Sequence, residues 1–131
     1  MKDIRYKKDF AEKKSNSCNS IVLEADDFDD TEELLVFNLP QNVMVTDCYV
    51  AVETAMAGAT LTVKIDTTNA LTNVSLASAG TIHRGAVATV NKTSGTGKQV
   101  TVTPNIAITS GKFVLTIVYI EFTRGVGNYT E

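Results

Sequence analysis

The sequence predicts an all-β fold: one domain of about eight antiparallel strands, preceded by a charged N-terminal arm. Three observations carry this. The 131 residues include 18 Thr and 15 Val, with only 2 Pro and no Trp. Thr and Val are stiff at the first side-chain torsion and suit a pleated surface. From Ile21 onward, short apolar runs recur, several with a period of two. Between them, the turn signals "AGAT", "DTTNA", "SAGT", "TSGTG" and "TSGK" fall about 8 to 14 residues apart, the spacing of a sandwich or small barrel. A chain of this length builds one core.

Taken in order, the first 14 residues hold six bases and three acids. This is the only place where a helix is plausible. "SNSCNS" follows with a loop composition. "SIVLEA" is a short apolar strand. The segment Glu24 to Glu33 then carries seven acids and no base. "ELLVFNLP" is a nearly continuous apolar run closed by Pro40. In "NVMVTDCYVAVE", Met44, Cys48, Val50 and Val52 tend to one face, and Thr46 breaks the alternation. Val43, Val45, Asp47, Tyr49 and Glu53 take the other face. "ATLTVKID" alternates cleanly, with Leu61, Val63 and Ile65 inward. "NVSLASAG" alternates through Val74 and Leu76, and "GAVATV" and "KQVTVTP" read as further strands. "GKFVLTIVYIEFTR" is apolar on both faces, which predicts a central strand covered on both sides. The chain divides into an arm, residues 1–19, and a β domain, residues 20–131.

The net charge of −3 and pI near 5.1 favour no nucleic acid. No apolar run approaches the length of a membrane span, and the charged start is not a signal peptide. Cys18 and Cys48 stand alone and far apart, so two free thiols are expected. The three N-glycosylation sequons mean little without a secretory route.

Candidate chemistry fails for identifiable reasons. "NKTSGTGKQVTV" resembles a phosphate loop. Lys92 stands where the first glycine belongs, Gln99 replaces the hydroxyl residue, and a strand follows instead of a helix. It is a hairpin loop. His83, the one histidine, lies in a turn-rich segment with no partners legible for acid–base work. With no close Cys-x-x-Cys pair, a zinc site is not expected. The acidic run lacks the central glycine and alternate acids of an EF-hand loop. No cofactor, no metal and no enzyme activity are expected. What the charges do suggest is contact. Arg5, Tyr6, Lys7, Lys8 and Phe10 of the arm, and Asp26, Asp27, Asp29 and Asp30 of the acidic run, are candidate partner-binding residues. The arm of one subunit would dock on the acidic loop of a neighbour.

From Leu34 to Arg124, the phrases "LPQNVMVTDCYVAVETA", "LTNVSLASAGT" and "VTVTPNIAITSGKFVLTIVYIEFTR" resemble small virion proteins of tailed bacteriophages. The resemblance implies a jelly-roll-like antiparallel β-sandwich, often a homotrimer. It implies a head decoration (cement) protein on the capsid surface, with the major capsid protein or other virion subunits as partners. No nucleic acid or membrane partner is implied. A head fibre base, a connector, a tail component or a carbohydrate-binding sandwich are the alternatives.

Overall fold

The structure, a computed structural model, describes residues 1–5, 18–40, 43–85, 89–91 and 98–121. It is nearly all β. In chain order the strands are β1 (Lys2–Asp3), β2 (Cys18–Glu24), β3 (Leu34–Asn38), β4 (Val43–Thr54), β5 (Thr60–Ile65), β6 (Thr68–Ser75), β7 (Ile82–Gly85), β8 (Thr89–Asn91), β9 (Gln99–Pro104) and β10 (Lys112–Glu121). A 3-10 turn, Ala25–Asp27, follows β2.

Two sheets result. The first has the order β1-β3-β9-β5-β6, and the second β2-β10-β4-β7, with β8 also pairing β4. Leaving β1 aside, the antiparallel pairs nest from the ends of the chain inward. β2 pairs β10, β3 pairs β9, β4 pairs β7 and β8, and β5 pairs β6. Successive pairs fall alternately in the second and the first sheet. Two further antiparallel contacts, β10 with β4 and β9 with β5, knit the pairs into sheets.

The predicted alternation on β5 holds: Leu61, Val63 and Ile65 are fully buried. Opposite them in the core are Phe113, Leu115, Ile117 and Tyr119 of β10, with Ile21 and Leu23 of β2. Phe28 adds its ring at 6.2 Å from that of Phe113. Burying a side chain of this size contributes about 1.5–3 kcal/mol, so these residues hold the sheets together.

On β4 the inward set differs from the expectation, and a bulge is the reason. Val118 lies opposite Asp47, but Tyr119 lies opposite Val45, so Thr46 is an extra residue. Its hydroxyl donates to the Val118 carbonyl at 3.2 Å. An extra residue flips every later side chain to the other face. Val43 and Val45 therefore point inward before the bulge, and Cys48, Val50 and Val52 after it, while Met44 is exposed. A second bulge falls at Val36, between the pairs Leu35–Thr101 and Phe37–Val100. It accounts for the run of four buried residues, Leu34 to Phe37.

β10 is central, as expected, between β2 and β4. It is not covered on both sides. Val114, Thr116 and Val118 are only partly buried, and Ile120 is exposed. The segment with His83 and Arg84 is strand β7, not a turn. β6 begins at Thr68, within the stretch read as a turn, because the β5–β6 link needs only Asp66 and Thr67. Asp66 meets that tight link with a positive φ of 59°. The predicted hairpin glycines Gly95 and Gly97 lie outside the described residues.

Where β7 meets β6, the two sheets close on each other. His83 Nε2 sits 2.7 Å from the Ser75 carbonyl oxygen. A Cβ on Gly85 would be driven into the carbonyl oxygen of Ala70, so only glycine lets the two backbones approach this closely.

Candidate interaction surface

The acidic segment and the start of the chain come together within one molecule. β1 runs parallel to β3, with Lys2 opposite Leu34 and Asp3 opposite Leu35. The Lys2 amide donates to the Glu33 carbonyl at 3.0 Å and the Ile4 amide to the Leu35 carbonyl at 3.1 Å. Ile4 is 0% exposed and belongs to the core. A strand of two residues is too short to hold by itself; the Ile4 side chain anchors it. Charge adds to the anchor. Lys2 Nζ lies 3.2 Å from Asp29, and the Met1 ammonium 3.0 Å from Glu32.

The candidate contact residues divide accordingly. Asp29 is taken by Lys2. Asp27 accepts the Glu24 amide at 2.9 Å and so fixes the turn that follows β2. Asp30 is exposed with a positive φ of 56°. Asp26 lines an open groove of about 420 Å³ with Glu24, Thr54, Thr109, Ser110 and Lys112. The Arg5 guanidinium grips Asp3, Nη2 to Oδ2 at 2.6 Å. This grip and the Arg5 amide hold the Asp3 carboxyl down at about 2. Tyr6, Lys7, Lys8 and Phe10 lie outside the described residues.

A second surface was not singled out from the sequence. On the outer face of the second sheet, register sets Val22, Val114, Ala51 and Ile82 side by side in a row across four strands. The next row is Ser20, Thr116, Tyr49 and Arg84. Past the bulge, Ile120 lies opposite Met44. Ile82 is 68% and Ile120 53% exposed, and Val22 and Met44 are exposed too. Within the polar row, the Ser20 and Thr116 hydroxyls meet at 2.9 Å. Arg84 Nε lies 2.7 Å from Asp47 Oδ1, and its guanidinium stands 6.0 Å from the centre of the Tyr49 ring. An apolar band beside tyrosine, methionine and arginine has the composition of a protein contact. The signal was present in the sequence as the second apolar set on β10, Val114, Val118 and Ile120. On the sequence alone this set predicts a covering layer.

The groups available for chemistry are dispersed. His83 is committed to the Ser75 carbonyl. Burial, then the charge of Asp47, pushes the Cys48 thiol up to about 12. Cys18 and Cys48 are both free. The first lies on the partly exposed outer face, the second inside, so a thiol reagent should modify one thiol of the native protein quickly and the second only on unfolding. Two equally fast thiols would contradict the inward placement of Cys48. Among the described residues no three His, Cys, Asp or Glu side chains are grouped so as to hold a metal ion. Nor is any described helix long and apolar enough to cross a membrane.

Fold and surface together define an all-β, two-sheet, sandwich-like protein. Comparison with family models, with curated proteins and with solved structures finds no match to this chain.

Proposed function

We propose that this chain is a non-enzymatic structural protein of a tailed-phage virion. The closest fit is a head decoration (cement) protein, a homotrimer on the capsid surface that binds the major capsid protein and stabilises the assembled shell. The observation that carries the reading is the apolar row Val22–Val114–Ala51–Ile82, open to solvent beside Tyr49 and Arg84. An exposed band of this kind marks a surface that another protein covers. Decoration proteins act through such surfaces and need no catalytic groups.

The strand order supports a jelly roll. Counting β7 and β8 as one interrupted strand, the eight strands after β1 pair first with eighth, second with seventh, third with sixth and fourth with fifth. A long hairpin rolled on itself gives this nesting, and virion shells use that fold repeatedly. The fold also occurs in lectins, but sugar recognition favours exposed aromatic faces. Among the described residues Phe28, Phe37, Phe113 and Tyr119 are buried, and Tyr49 is partly buried beneath Arg84.

Ile82→Asp tests the surface. Ile82 is mostly exposed, so the change should move the unfolding free energy by no more than about 0.5 kcal/mol. An aspartate in the middle of a covered contact should weaken trimer formation or shell binding at least about tenfold. Unchanged assembly and unchanged shell binding would show that this face touches neither a sister subunit nor the capsid.

A further inference from the structure

We propose that β2 is a pairing edge: two copies of this chain join β2 to β2, antiparallel, about a two-fold axis at Val22. This goes beyond the reading above and does not depend on what the outer face binds.

A sheet edge offers unpaired amides and carbonyls to any other strand, and β proteins blunt their edges for that reason. The other edges here are blunted. β1 is two residues long. β6 breaks register twice against β5 and carries a positive φ of 50° at Asn73. β7 and β8 are four and three residues long, and β7 is closed against β6 by His83 and Ser75. β2 has none of these devices. Its seven residues hold unbroken register with β10 and include no proline and no base. From Asn19 onward they alternate strictly between buried and exposed. No described strand pairs with its other side.

The direction of the free backbone groups follows from two bonds. The Ala25 amide donates to the Gly111 carbonyl, just before β10, whereas the Glu24 amide donates to the Asp27 carboxylate. Successive residues of an antiparallel strand bond to opposite sides. The amides and carbonyls of Ser20 and Val22 therefore share the direction of the Glu24 amide, towards the open edge.

Side chains select a second copy as the occupant. With the axis at Val22, Val22 faces Val22, Ile21 faces Leu23 and Ser20 faces Glu24. Apolar meets apolar and polar meets polar. With the axis one residue earlier, Asn19 would face Leu23 and Ser20 would face Val22. Glu24 is the only charged residue of the strand and stands at its end, so like charges do not meet. The stretch is complementary to itself, which is what an isologous contact requires. Pairing also sets the rows Val22–Val114–Ala51–Ile82 of the two copies end to end in one continuous sheet. A two-fold contact joins chains in pairs, so a trimer that carries it closes at six chains.

Val22→Pro tests the edge. It removes the outward amide at the axis and takes no bond from the β2–β10 ladder, the position where a strand tolerates proline. The native chain should sediment at about twice the mass of this variant, as a pair of chains or a pair of trimers. Equal masses overturn the pairing, and a native assembly of three chains overturns it while leaving the trimer standing. Should the variant fail to fold, crosslinking decides. A Val22→Cys chain, also carrying Cys18→Ser, is treated with a short bifunctional thiol reagent. Its new thiols lie on the axis and should link into dimers. Ile82→Cys, in the same background, is the control. Ile82 is the more exposed of the two, yet across the pair its copies stand roughly 30 Å apart. A Val22→Cys chain that links no faster than the control overturns the proposal.

Discussion

Replacing Ile117 by aspartate is expected to leave no soluble folded protein. Ile117 is fully buried in the middle of β10, opposite Cys48 on one side and Asn19 on the other. A carboxylate there loses its water and finds no cation, a cost of several kcal/mol. A domain of this size is stable by only about 5–15 kcal/mol, and β10 is the strand that both β2 and β4 pair with. Its loss would separate the second sheet. Val118→Asp, one residue along, should behave differently. Val118 lies on the outer face and is only partly buried, so this variant should fold with a penalty nearer about 1 kcal/mol. Soluble expression and circular dichroism of the pair decide the matter. A folded Ile117→Asp beside an unfolded Val118→Asp would mean that the facing of β10 is reversed.

The second large effect is expected at the chain's start. Ile4→Ala should destabilise the protein by about 2–5 kcal/mol, the usual range for emptying a buried aliphatic site. The same change in a solvated tail would stay within about 0.5 kcal/mol. Urea denaturation separates the two without ambiguity. Ile4→Ala should shift the midpoint strongly, and Lys2→Ala only slightly, because its ion pair with Asp29 is surface-exposed. The slight Lys2 effect should shrink further in high salt. An unchanged midpoint for Ile4→Ala would mean that the first residues do not occupy the β3 edge.

Much of the fold was legible because period-two patterning is a direct imprint of burial. Leu61, Val63 and Ile65 read correctly since β5 pairs on both sides and faces the core with one side only. β4 read wrongly for a physical reason. A one-residue bulge at Thr46 shifts the phase, and a phase shift looks like noise when alternation is counted along a single strand. The sequence did mark the place, because Thr46 was where the pattern broke. β7 was missed because "IHRG" is four residues long and bears no apolar alternation. Its strand character comes from pairing with β4 and from the contact between Gly85 and Ala70, both set by distant residues.

The candidate surfaces were only half legible. Opposite charges at the chain's start and in the acidic segment suggest docking between subunits; what the structure shows is a pair within one molecule, Lys2 with Asp29. Burial of Ile4 was invisible, since one isoleucine among charges has no periodic partner. The outer apolar row was invisible for another reason. Val22, Val114, Ala51 and Ile82 are scattered along the chain and become neighbours only through the register of four strands. A one-dimensional reading sees the second apolar face of β10 and takes it for a buried one.

The central proposal, that this chain decorates a phage capsid, is tested most directly by counting it. On this proposal, quantitative mass spectrometry of purified virions gives the copies of this chain per particle relative to the major capsid protein. The account predicts a number in the hundreds, in multiples of three, falling when Ile82→Asp replaces the native chain. A dozen copies or fewer would assign the protein to a connector or tail position. Absence from the particle would contradict a virion role altogether.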